Sequence, residues 1–126
     1  MRLGVTDYID CAHTLSGHPK CGQLHGHTYR IELAVEGDAS GGMLLDFADL
    51  KARLRGVLAH YDHKHWNDFI DYPPVENICE RLAGEVASVL ALDFTLRVYE
   101  GHAKWAETGR GRARGRSGTA CWGKRR

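Results

Sequence analysis

His25-Gly-His-Thr-Tyr-Arg-Ile-Glu-Leu-Ala-Val-Glu36 places two histidines at the head of an alternating segment. Tyr29, Ile31, Leu33 and Val35 share the parity of His25 and His27, while Arg30, Glu32 and Glu36 take the other. A period of two is the signature of a half-buried β-strand, and residues two apart in a strand project from the same face. The two imidazoles therefore extend an apolar row and stand close enough to grip one ion.

Upstream, Leu3, Val5, Ile9, Cys11 and His13 also share one face, with Asp7 interrupting the row as a candidate β-bulge. If this segment pairs with the next as an antiparallel ribbon, His13, His25 and His27 converge at one end of a dry surface. Three imidazoles on zinc leave a fourth tetrahedral position for water or substrate, the arrangement of catalytic rather than structural zinc. A plainer reading is also open, because His-Gly-His occurs in turns and single histidines are commonly solvated or satisfied in a core. Cys21, four residues before His25, is either a small buried side chain or a thiolate activated by a metal and a neighbouring imidazolium.

The remaining pattern is strand, strand, helix, helix, strand and a short closing strand. The first two strands are expected at residues 2–12 and 27–37, with Glu36-Gly-Asp38 as the turn signal. Asp46 is placed to cap a helix with an apolar stripe of Phe47, Leu50, Leu54, Val57, Leu58 and Tyr61. A second helix begins near Pro74, with Glu76 in its first turn, and its stripe is Val75, Ile78, Cys79, Leu82, Val86, Val89 and Leu90. A third strand at 94–100 aligns Phe94, Leu96, Val98 and Glu100, and residues 103–108 close the sheet. Two helices on one face of a four-stranded antiparallel sheet make an α+β domain.

With 126 residues the chain is one domain. No stretch approaches the roughly 18–20 apolar residues of a membrane span, and no signal-peptide core is visible, so a cytoplasmic protein is the expectation. Cysteines at 11, 21, 79 and 121 form neither a C-x-x-C pair nor a dense framework, which predicts free thiols. The net charge of +1 conceals an asymmetry: residues 110–126 hold seven Arg or Lys and no acid, so the body carries about −6. The domain is expected over 1–108, with 109–126 as a disordered Gly/Arg-rich tail. A phosphate-attracting or RNA-binding arm is the functional alternative to a solvated tail.

Two further places bear on chemistry. Glu100 ends an apolar row, where it is either exposed or needs a cationic or amide-edged ligand. In His60-Tyr-Asp62-His63-Lys-His65-Trp-Asn67, Asp62 can orient His63 only if the backbone turns the two together; a solvated helix end has the same sequence.

Six blocks now stand in order: Ala12-His13, Cys21-x-x-x-His25-Gly26-His27, Gly42-Met-Leu-Leu-Asp46-Phe47-x-x-Leu50-Lys51, Asp62-His63-x-x-Trp66-Asn67, Pro73-x-x-Glu76-Asn77 and Glu100. Across residues 7 to 101 the chain resembles the family of 6-pyruvoyl-tetrahydropterin synthase and 6-carboxy-tetrahydropterin synthase. The three residues between Cys21 and His25 resemble the carboxy-forming branch, which serves queuosine and deazapurine biosynthesis. The resemblance implies a T-fold that trimerises into a barrel and often stacks as a hexamer, with active sites between subunits. It implies Zn2+ on His13, His25 and His27, Cys21 as general acid/base, Asp62 and His63 as a proton relay, and Glu100 with Glu76 as pterin-binding residues. The substrate it implies is 7,8-dihydroneopterin triphosphate.

Two positions depart from the family pattern. Pro74 stands where Thr is frequent, and Gly101 follows Glu100 where Thr is common. The functional expectation is a zinc-dependent lyase of the carboxy-forming type, with pyruvoyl-type synthesis, sepiapterin cleavage, or a non-catalytic pterin- or RNA-binding module as alternatives.

Overall fold

The computed structural model describes residues 1–18 and 22–111. Cys21 and the basic stretch after Gly111 lie outside the described residues.

Strands β1 (Arg2–His13) and β2 (His25–Glu36) form a long ribbon. Helix α1 (Phe47–Leu58) follows, then a 3-10 turn at Trp66–Asp68 and helix α2 (Val75–Val89). Strands β3 (Asp93–Glu100) and β4 (Lys104–Arg110) complete a sheet of order β1-β2-β3-β4, antiparallel throughout. Both helices cover the same face, α1 over β1 and α2 over β3 and β4. This is the α+β architecture that the periodicities predict.

The apolar rows pack as their parity demands. Ile9, Tyr29, Ile31, Leu33, Val35, Phe94, Leu96 and Val98 are buried from the sheet, and they meet Leu50, Leu54, Leu58, Ile78, Leu82 and Val86 from the helices. Burying a side chain of this size contributes about 1.5–3 kcal/mol, which outweighs the modest helix propensity of the β-branched members. Asp46 caps α1 as expected, its Oδ1 accepting from the Ala48 N–H at 3.0 Å.

Several expectations are corrected. Phe47 is 56% exposed and Val89 is 39% exposed, so these two members of the predicted stripes stay out of the core. Strand β4 runs on to Arg110, where Arg110 Nη2 lies 2.9 Å from Glu80 on α2. Asp7 makes no bulge: pairing is continuous from Arg2↔Glu36 to His13↔His25, with Asp7 opposite Ile31. The inward carboxylate stays in register because Arg55 of α1 donates to it at 3.1 Å, satisfying a charge that would otherwise be costly on an apolar face.

Candidate metal and substrate site

The register of the β1–β2 ribbon builds the site. His13 faces His25 directly across the strands, and Cys11 faces His27. Ring nitrogens of His13, His25 and His27 all lie within 4.8 Å of one another. His13 is fully buried and its Nδ1 lies 2.8 Å from the Pro73 carbonyl, so Nδ1–H is the donor and the Nε2 lone pair points inward. His25 repeats the device, its Nδ1 lying 2.7 Å from the Gln23 carbonyl. The two Nε2 atoms meet at 3.0 Å, near the roughly 3.3 Å edge of a tetrahedron with metal–nitrogen bonds of about 2.0 Å.

This donor set fits a divalent transition metal. Both tautomers are fixed from behind by carbonyl acceptors, as metal-binding imidazoles usually are. Burial lowers the pKa of His13 and His27, against the opposing pull of Glu100, which favours the neutral imidazoles that metals require.

Glu100 belongs to the same end of the sheet. It pairs with Tyr29 across β2–β3, and its Oε2 lies 3.5 Å from His13 Nε2 and 3.6 Å from His27 Nε2. Lys104 Nζ approaches the other oxygen at 3.8 Å. Beneath these groups lies a residue that sequence reasoning left in the core, Tyr29. Its ring meets His27 edge-on at 5.7 Å, and its buried hydroxyl has no hydrogen-bond partner among the described residues. Its shared parity with His27 was the available signal. Burial, followed by the Glu100 charge, pushes that phenol far up.

Asp62 and His63 follow α1 in a tight turn where His63 adopts φ of 63°. That left-handed backbone swings the imidazole back, so that Nδ1 sits 3.1 Å from Asp62 Oδ1, and the His63 N–H donates to Asp10 O at 2.7 Å. The adjacency that was ambiguous in sequence is thus a real contact. His63 and His27 line one open cleft of about 450 Å³, together with Asp10, Cys11, Thr28 and Lys64. Cys11 is not a reactive thiol: its Sγ donates to the Tyr61 carbonyl at 3.1 Å, and burial pushes it up to about 11.

Glu76 stands exposed in the first turn of α2, outside the histidine cluster. The same loop contributes instead through Pro73, whose carbonyl orients His13 and which no side-chain motif could reveal. Gly101 has a positive φ of 75° in the β3–β4 turn, where its N–H donates to Thr28 O at 3.1 Å. A β-branched residue would be strained in that conformation.

A family model for 6-pyruvoyl tetrahydropterin synthase matches residues 2–110. The chain belongs to this family. Among its relatives is an Archaeoglobus fulgidus protein provisionally named 6-carboxy-5,6,7,8-tetrahydropterin synthase, 39% identical over 108 residues, covering 85% of this chain and 94% of the relative. A dihydroneopterin monophosphate aldolase of Pyrococcus furiosus is 36% identical over 75 residues, which is 60% of this chain and 66% of that one. The fold matches 6-pyruvoyl tetrahydropterin synthase of Plasmodium falciparum with a TM-score of 0.75 at 18% identity, covering 88% of this chain and 98% of the other. The match to the family model spans all of the described strands and helices.

Proposed function

We propose that this protein is a zinc-dependent carbon–carbon lyase that converts 7,8-dihydroneopterin triphosphate and one water to 6-carboxy-5,6,7,8-tetrahydropterin, releasing acetaldehyde and triphosphate. The observation that carries the reading is the convergence of three imidazoles, two of them oriented by backbone carbonyls, beside Glu100, in a chain whose near full-length relative bears the carboxy-forming name. Bound by His13, His25 and His27, zinc supplies Lewis acidity toward the side-chain oxygens of the substrate.

The other roles fall to the chain. Glu100 accepts hydrogen bonds from the amino-pyrimidine edge of the pterin, and Glu76 assists from the start of α2. Cys21 moves protons between carbon and oxygen as general acid/base. Asp62 and His63 relay that proton, the carboxylate holding the imidazole in the tautomer with Nδ1–H. The working assembly is a homo-oligomer, trimer or hexamer, with sites shared between subunits in the cytoplasm, and the product feeds queuosine or deazapurine synthesis.

The test is incubation of the purified, zinc-loaded protein with 7,8-dihydroneopterin triphosphate and mass-spectrometric identification of the products. Carboxytetrahydropterin with acetaldehyde supports the reading. A pyruvoyl product, an aldolase product such as that in the name of the Pyrococcus furiosus relative, or no turnover overturns it.

A further inference from the structure

Arg55, in the last turn of α1, spends its whole guanidinium on one small region. Nε donates to Asp7 Oδ2 at 3.1 Å, Nη2 to the Tyr8 carbonyl at 2.9 Å and Nη1 to Asp62 Oδ2 at 3.2 Å. The two oxygens of Asp62 are thereby divided. Oδ2 is taken by Arg55, while Oδ1 accepts the Asp10 N–H at 3.0 Å and faces His63 Nδ1 at 3.1 Å.

We propose that Arg55 is a positioning residue for the Asp62–His63 pair, a guanidinium strut that ties the pair to β1 and leaves one carboxylate oxygen aimed at the imidazole. The inference deepens the functional reading above and rests on His63 handling a proton there. The physical case is conformational. His63 is largely exposed and held in a left-handed backbone conformation, and an exposed imidazole samples many rotamers unless its partner is fixed. Without Arg55, the Asp62 carboxylate keeps the Asp10 N–H on Oδ1 but has no partner that holds Oδ2 away from the imidazole. Nε and Nη2 anchor the planar guanidinium to Asp7 and Tyr8 on β1, so the third donor, Nη1, is held in one place against Asp62 Oδ2, which a point charge cannot reproduce.

The charge balance agrees. Asp7, Asp10 and Asp62 crowd together, and Thr28 Oγ1 donates to Asp10 Oδ1 at 2.5 Å, so Asp10 is already engaged. Lys51 acts on Asp7 only at longer range, which leaves Arg55 as the cation in contact with both Asp7 and Asp62. Asp7 has no other role in the site; on this view its place in an otherwise apolar row exists to hold Arg55. That accounts for the break in alternation that sequence reading took for a bulge.

The experiment compares R55M, R55K, H63A and R55M/H63A as zinc-loaded proteins of matched metal content, assayed with 7,8-dihydroneopterin triphosphate. R55M should lower kcat about 10- to 100-fold while KM changes less than twofold, and R55K, a point charge that cannot reach Asp7, Tyr8 and Asp62 together, should recover less than about fivefold of that loss. In the H63A background, R55M should change kcat less than twofold, because the residue it positions is gone. Should R55M not fold, D7N removes the charged anchor of Arg55 on β1, leaving the Tyr8 carbonyl, without touching the pair, and should lower kcat about 3- to 10-fold. Wild-type kcat in R55M or in D7N, or an equal loss from R55M with and without His63, overturns the proposal. An H63A variant with wild-type turnover overturns the reading of the pair itself, whereas an impaired H63A beside a fully active R55M overturns only the role of Arg55.

Discussion

His13 Nε2 and His25 Nε2 lie 3.0 Å apart, each ring pinned from behind by a backbone carbonyl. Two imidazole nitrogens at this distance repel through their lone pairs unless a proton or a metal ion sits between them. Zinc should therefore raise the melting temperature of the metal-free protein, since a ligand that binds only the folded state adds about 4 kcal/mol at a thousandfold excess over Kd. H13A and H25A should each abolish that rise, as measured by calorimetry with and without excess free zinc. An undiminished zinc shift in both variants would place the metal elsewhere.

Cys21→Ala should retain zinc at wild-type stoichiometry and lose at least about a thousandfold in turnover, because the thiol is assigned to proton transfer and not to the metal. Elemental analysis and single-turnover assays separate the two effects. Wild-type rates in the variant would remove Cys21 from the mechanism.

The Asp7–Arg55 pair predicts a specific pH dependence of stability. Burial works to raise Asp7, but hydrogen bonds from Arg55 and the Tyr8 N–H prevail and hold its carboxyl below the ordinary value. A carboxyl whose folded pKa is depressed stabilises the fold above the unfolded value of about 3.9, and the contribution disappears as pH falls through the folded pKa. D7N should therefore cost about 1 kcal/mol at pH 7, a modest figure because Arg55 is 39% exposed, and the difference from wild type should shrink as pH falls below the ordinary carboxylate range. Urea titrations at pH 7 and below that range measure this; a constant difference would contradict it.

Truncation distinguishes the strand from the tail. Removing residues 112–126 should leave the melting temperature and turnover unchanged. Removing Arg110 as well deletes the residue paired with Phe94 and its contact with Glu80, and should lower stability by about 0.5–1 kcal/mol. Equal melting temperatures for the two truncations would show that the last residue of β4 contributes nothing.

Much of the fold was legible because its two periods are clean. The alternation from Tyr29 to Val35 and the helical spacing from Leu50 to Leu58 each commit one face to the core, and a one-residue error would expose the entire set. The helix cap at Asp46 was equally readable, since its chemistry is local. The ends were less so. Phe47, Val89 and Arg110 are decided by which neighbours each element end meets, a relation between segments distant in the chain.

The histidine triad divides the same way. Spacing alone determined that His25 and His27 share a face, and that His13 could join them if two strands paired. Only the tertiary structure decided the register that sets His13 opposite His25, the Pro73 carbonyl that turns its ring, the approach of Glu100, and the use of Asp7 to anchor Arg55. Side-chain direction along one strand is a property of local backbone geometry, which sequence periodicity records. Orientation of a ring, or neutralisation of an inward carboxylate, depends on partners some 50 to 90 residues away, and no local pattern encodes them.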